Sequence, residues 1–207
     1  CEMPGAGRVT AHILRGLAFQ AQGDFEAAVR DLSKAIAIDP TDIMTYLYRA
    51  DARMEQDPQT ALHDDAQAVA LEPGNATTYL YRGKAYQALG NLEAALGDYD
   101  QAIDLRPDYG AAYRRRGQAW LALGNPDAAI ADYSRAIDVD PKDAESWYRR
   151  GLLYAEQAEL SPAIVDYTHA VELEPEHAAA YYARGLARKA EGDVPGAVDD
   201  FGQTIAL

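Results

Sequence analysis

Tyr113-Arg-Arg-Arg-Gly117, Ala129-Ile-Ala-Asp-Tyr133 and Asp140-Pro141 follow one another within residues 110–143, and the same text returns along nearly the whole chain. Its clearest marker is the closing proline. Pro40, Pro73, Pro107, Pro141 and Pro175 stand 33, 34, 34 and 34 residues apart. A fixed period of this size is produced by identical supersecondary units stacked in a row, each covering the apolar face of its neighbour. Such an array offers partners an extended surface, and any chemistry would have to be added to it separately.

With the proline as position 32, six repeats span 9–42, 43–75, 76–109, 110–143, 144–177 and 178–207. The last stops short of its own proline, so the natural protein is expected to continue. Residues 1–8, with Pro4-Gly-Ala-Gly7 at their centre, read as a short flexible tether. Inside each repeat, two stretches of helical periodicity flank one turn residue: Gly23, Gly90, Gly124 and Gly192, with Ala158 in the fifth repeat. Repeat two lacks this residue. Glycine there ends the first helix by adopting positive φ, and the later proline stops the second. Each repeat is therefore expected to be a pair of antiparallel helices of about three turns.

The other recurring positions read as packing. Position 8 is Gly16, Ala50, Gly83, Gly117, Gly151 and Gly185, and position 20 is Ala28, Ala61, Ala95, Ala129, Ala163 and Ala197. Glycine inside a helix costs about 1 kcal/mol against alanine, so its recurrence points to close approach of the partner helix. Position 4 carries His12, Tyr46, Tyr79, Tyr113, Trp147 and Tyr181; position 24 carries Leu32, Asp65, Tyr99, Tyr133, Tyr167 and Phe201. Large side chains set against small ones are how helical layers interdigitate at native density.

This pattern resembles the tetratricopeptide repeat, with its aromatic at position 4, small residues at 8, 20 and 27, and proline at 32. The resemblance covers residues 9–207. It implies an all-α fold, a right-handed α-solenoid of antiparallel helix pairs whose first helices line a concave groove. It also implies that the chain binds proteins or peptides.

One departure carries information. The family usually has an apolar residue at position 7; here it is Arg15, Arg49, Arg82, Arg116, Arg150 and Arg184, while position 23 is Asp31, Asp64, Asp98, Asp132, Asp166 and Asp200. In antiparallel hairpins these positions lie at the same height, so repeated structural ion pairs are expected. By height alone the acid comes from the same repeat or the preceding one. The competing reading is an arginine ladder for acidic ligands, and six matched acids favour the ion pairs.

The net charge is −14, from 33 acidic and 19 basic residues, which makes nucleic acid and anionic membrane surfaces poor partners for the body of the protein. No apolar run approaches the roughly 20 residues that span a bilayer. The four histidines, His12, His63, His169 and His177, sit at unrelated repeat positions without metal-ligand spacing,. No phosphate-binding glycine loop or nucleophile elbow is present. Neither a cofactor nor catalytic residues are expected.

In the resembled family, positions 2, 5, 9 and 12 face the groove. Position 5 holds Ile13, Leu47, Leu80, Arg114, Tyr148 and Tyr182; position 9 holds Leu17, Asp51, Lys84, Gln118, Leu152 and Leu186; Met44 stands at position 2. Apolar side chains on such a face suit a partner helix or an extended apolar segment of another protein. The set that grips acidic chaperone tails in some family members does not match, because Leu80, Lys84, Arg115, Glu145 and Arg149 lack its asparagines.

The main reading is a non-catalytic binding scaffold. Two rivals are a lipid-anchored, pilotin-like assembly factor of a bacterial envelope machine and a regulatory arm of a larger enzyme. The sole cysteine is Cys1. As a processed N-terminus it would be a lipidation site, giving the one contact with membrane and an envelope location; otherwise a cytoplasmic location is expected. Two or three acyl chains would anchor the protein stably where one would not.

Overall fold

The structure, a computed structural model, describes residues 4–54 and 56–207. The described residues form twelve helices and no strand, and inter-residue contacts divide the chain into two parts, to Pro107 and from Asp108. In the N-terminal part, α1 (Pro4–Ala21) pairs with α2 (Phe25–Ile38), α3 (Ile43–Arg53) with α4 (Pro58–Leu71), and α5 (Ala76–Ala88) with α6 (Leu92–Leu105). In the C-terminal part, α7 (Gly110–Ala122) pairs with α8 (Pro126–Val139), α9 (Ala144–Glu156) with α10 (Leu160–Leu173), and α11 (Ala178–Glu191) with α12 (Val194–Ala206). Each pair is one sequence repeat. Most helices run 13 or 14 residues, nearer four turns than three,.

Two expectations concern the N-terminus. Cys1 lies outside the described residues. Residues 4–8, expected as tether, belong to α1, which opens at Pro4; proline fits a first helical turn because its missing N–H would have no intrahelical acceptor there.

Local chemistry fixes the helix ends. Asp24, Asp57, Asn91, Asn125 and Asp193 each accept a hydrogen bond from the backbone N–H three residues on, capping the second helices,. The interhelical turn passes through the left-handed region at Gly124 (φ 76°), and Ala158 takes that conformation at φ 61°. The alanine accepts a backbone that its Cβ disfavours, and the rest of the turn is unchanged, with Glu159 N–H bonded to Tyr154 C=O at 2.8 Å,.

Position 8 meets position 24 inside every pair where glycine faces a large side chain. A Cβ on Gly83 would lie 2.5 Å from Tyr99 Cε1, and one on Gly151 2.8 Å from Tyr167 Cε1. Tyr99, Tyr133 and Tyr167 are buried, as are the position-20 alanines beside them. Gly83→Ala is therefore expected to destabilise the protein by about 1–3 kcal/mol through overpacking. Gly97→Ala, also helical but with nothing within 4 Å of the new Cβ, should stabilise it by up to about 1 kcal/mol. Denaturant titrations of the two variants check the contrast; equal effects would remove close approach as the reason for position 8.

Successive hairpins stack through α2–α3 and α4–α5 in the N-terminal part, and through α8–α9 and α10–α11 in the C-terminal part. First helices also approach one another, α1 with α3, α3 with α5, and α9 with α11. The first helices therefore lie on the inner side of each part, where the sequence places the candidate site.

Candidate functional site

Position-7 arginine and position-23 aspartate meet within the same repeat. Arg49 Nη2 lies 2.6 Å from Asp64 Oδ1, Arg82 Nη2 2.6 Å from Asp98 Oδ1, and Arg116 Nη2 2.6 Å from Asp132 Oδ1. Arg150 and Arg184 hold Asp166 and Asp200 through Nη2 at 2.8 and 2.7 Å, and Arg15 Nη2 holds Asp31 at 2.9 Å. In all six pairs Nε donates to the same carboxylate, so each pair is bidentate,. The Arg15 guanidinium holds the Asp31 carboxyl down to about 2.

Two further contacts of the arginines were not read from the sequence. Arg49, Arg82, Arg116, Arg150 and Arg184 lie 5.0–5.8 Å from the centre of the position-4 ring, three residues earlier on the helix,. Arg49, Arg150 and Arg184 also donate to a hydroxyl of the preceding repeat: Ser33, Ser134 and Thr168. The hydroxyls recur at position 25, a spacing visible in the sequence once the arginine's reach is known.

The groove candidates separate into three groups. Leu47 and Leu80 are buried, which corrects their assignment to the partner-facing surface. Position 5 in these repeats points between helices: Leu47 packs against Ile43 and Ala68. Ile13 is half-buried against Ala28 and Leu32, and Leu17 is also half-buried. A second group is polar and already partnered. Lys84 Nζ lies 3.3 Å from Asp51 Oδ1 and 4.6 Å above the Tyr81 ring. Arg114 Nε lies 2.9 Å from Asp143 Oδ2, and Gln118 Oε1 accepts from Arg115 at 3.2 Å. Arg114 therefore has an acid of its own chain beside it, although its buried Nε makes no well-aligned hydrogen bond.

The third group remains open to solvent: Met44 on α3, and Tyr182 and Leu186 on α11, at 52% and 46% exposure. Around Leu186 the C-terminal part holds a crevice of about 350 Å³, lined by Leu152, Ala155, Leu160, Tyr167 and Ala187. The Tyr148 ring lies 6.1 Å from that of Tyr167, which lines the crevice, and 4.7 Å from that of His177. The crevice is apolar apart from Glu156 at its edge. It has the character of a seat for an apolar side chain,.

One site residue was not singled out from the sequence. Asp65 occupies position 24, where other repeats carry tyrosine, phenylalanine or leucine, and it is 0% exposed with neither carboxylate oxygen hydrogen-bonded. Burial pushes its carboxyl up to about 8; Lys84 and Arg82 oppose the shift, while Asp64 and Asp51 add to it,. The signal was present in two substitutions that match each other: Asp65 replaces the large residue in the one repeat where Ala50 replaces glycine.

The tetratricopeptide repeat model matches residues 49–110, 80–144 and 121–167, and a second model of the same repeat matches 9–42. The chain belongs to the tetratricopeptide repeat family. No curated protein matches it by sequence. Among solved structures, this tetratricopeptide chain is similar to MamA at 27% identity and a TM-score of 0.65, over 79% of this chain and 96% of that one. It is similar to the PilF protein of Pseudomonas aeruginosa at 20% identity and a TM-score of 0.83, over 96% of this chain and 90% of that one. A third is YrrB, described as having an unusual peptide-binding site: 22% identity, TM-score 0.64, 84% and 91% covered. The likenesses to PilF and YrrB are ones of fold. Tetratricopeptide repeats form scaffolds for protein–protein interaction, and that general role is this chain's as a member of the family.

Proposed function

We propose that the chain is a non-catalytic scaffold that holds a helix or an extended segment of another protein against its first helices. The principal seat is the crevice beside α9 and α11. The observation that carries this reading is the crevice itself: an open apolar space lined by exposed Leu186, with exposed Tyr182 four residues earlier on the same helix. Surface of that kind is stable in water only at a cost, which a partner's apolar side chain relieves. The net charge of −14 supports a protein partner over nucleic acid,. YrrB, of similar fold, holds a peptide-binding site.

Capture of a partner on the purified chain, followed by mass spectrometry and measured affinity, tests the reading. Leu186→Asp and Tyr182→Ala change exposed side chains and should leave the melting temperature nearly unmoved. Each should weaken binding by about 2 kcal/mol, or about thirtyfold in Kd. A partner that binds both variants as tightly as the parent chain does not use this crevice.

A further inference from the structure

We propose that Gln20, Asp51, Asp65 and Lys84, on the inner side of the first three repeats, form a second binding site that takes a cationic side chain of a partner segment. The site deepens the scaffold reading and rests on it, since the cation is carried by a segment lying along the first helices.

The argument starts from atoms left without partners. Three buried oxygens here accept no hydrogen bond: Gln20 Oε1, Asp65 Oδ1 and Asp65 Oδ2. Gln20 is fixed in this orientation because its Nε2 donates to Asp51 Oδ2 at 2.7 Å. With Asp65 ionised the unmatched capacity is entirely acceptor; in its neutral form one Asp65 oxygen is a hydroxyl that also lacks a partner,. An ammonium brings three donors and a guanidinium five, whereas a carboxylate or carbonyl ligand would set acceptor against acceptor.

No cation among the described residues meets the need. Lys84 is engaged by Asp51 at 3.3 Å, Arg82 by Asp98, and Arg49 and Arg53 both by Asp64. The charges that act on Asp65 are Lys84 and Arg82 from α5, Asp51 from α3 and Asp64 from α4. Asp65 is left as a neutral carboxyl, for burial of an unpaired carboxylate costs far more than burial of its protonated form. Of the four residues, Asp51 and Lys84 reach solvent, their side chains 40% and 25% exposed.

The geometry gives binding an order. The incoming cation meets Asp51 first, loosening its hold on Lys84. Gln20 Oε1 then accepts from it, and Asp65 gives its proton to bulk water and becomes the counter-ion beneath. One proton leaves for each cation bound. Affinity therefore rises about tenfold per pH unit while the Asp65 carboxyl of the free protein is protonated. It levels off near pH 8, where that carboxyl ionises by itself. An apolar contact in the crevice beside α9 and α11 has no such dependence.

N-acetyl-lysinamide and its uncharged counterpart N-acetyl-norleucinamide separate the two sites. Aspartate carboxyl carbons and leucine methyls of the full chain are followed by NMR as each probe is added. The expected result is that the lysine probe moves the Asp65 and Asp51 signals and lowers the pH at which Asp65 titrates, while the norleucine probe does neither. Asp65→Asn, folded by circular dichroism, should weaken the lysine probe at least about tenfold at pH 8. Asp51→Asn should weaken it too and lower the pH at which Asp65 titrates, because Asp51 adds to the upward shift and holds Lys84.

An Asp65 carboxyl indifferent to the lysine probe overturns the proposal. So does equal affinity for that probe in the Asp65→Asn chain, because binding would then be to the exposed Asp51 alone. If both probes move only the methyls of Leu152 and Leu186, the crevice reading stands and the cation site falls. If the Asp65 response is seen and those methyls stay still, the reverse holds.

Discussion

Asp65→Asn should stabilise the protein at neutral pH, and the gain should grow with pH. The Asp65 carboxyl titrates near 8 in the folded chain against 3.8 for an ordinary aspartate. Between those values the folded state holds a proton that the unfolded state has released, so stability falls as pH rises from about 4 to about 8. Each tenfold difference in proton affinity corresponds to about 1.4 kcal/mol, which puts the whole loss on the order of 5 kcal/mol. Asparagine has the same shape without the ionisation. Its advantage should be small at pH 4.5, several kcal/mol at pH 8, and constant above that.

Asp31 works in the opposite direction and in a separate window. Its carboxyl is held down to about 2 by Arg15, so its contribution is present above about pH 4 and is lost on further acidification,. Urea titrations of parent and variant at pH 5 and pH 8 therefore isolate Asp65. If the two chains respond identically to pH over that range, Asp65 is not a buried neutral acid. Replacing Asp65 by leucine alone is a poorer test. In repeat one a Cβ on Gly16 would lie 2.9 Å from Leu32 Cγ, and Ala50 already carries the Cβ that would meet such a leucine. Asp65→Leu should reach full effect only together with Ala50→Gly, which restores the pattern of the first repeat.

The same pair of residues shows how far the sequence could be read. A period of 34 with glycine, alanine, aromatic and proline at fixed positions determines the hairpins, because each such residue answers a backbone or packing demand that recurs unchanged. The Arg–Asp pairs were legible for the same reason. Which acid each arginine takes was not, because helix height leaves two candidates and only the tilt of the hairpin chooses between them. The partner-facing surface was the least legible. Leu47, Leu80, Tyr148 and Tyr182 share position 5, yet the first two are buried and Tyr182 is half exposed. Leu47 and Leu80 are each followed by a further hairpin, whereas Tyr182, on α11, is followed here by α12 alone. The partner of Arg114 was not legible either: Asp143, 2.9 Å away, closes its repeat just before α9, where the other repeats end in Asp42, Asn75, Tyr109 and His177. Residues that break the period, such as Asp65, carry the information specific to this chain.

Removing either member of the Arg150–Asp166 pair should cost about 3–5 kcal/mol, the range for stranding one partner of a buried ion pair. The two losses should differ in their response to pH. Asp166 is buried and takes both of its donors from Arg150, Nε and Nη2 at 2.8 Å. In Arg150→Leu the stranded carboxylate can become neutral by taking a proton, so the cost should shrink as pH falls from 7 towards 5. In Asp166→Ala the stranded guanidinium cannot lose its charge. It keeps Ser134 at 2.9 Å and the Trp147 and Tyr154 rings at 5.0 and 5.7 Å, and its cost should be nearly independent of pH over the same range. The double variant Arg150→Leu/Asp166→Leu should recover much of the loss, because no charge then remains to be buried and leucine restores apolar contact. Chemical denaturation of the three variants at pH 5 and pH 7 gives the coupling directly. Additive losses that ignore pH would mean the pair is solvated after all, and the arginines would then be free to serve an acidic partner. A strong coupling with the stated pH response makes the ladder part of the frame and leaves partner binding to the groove.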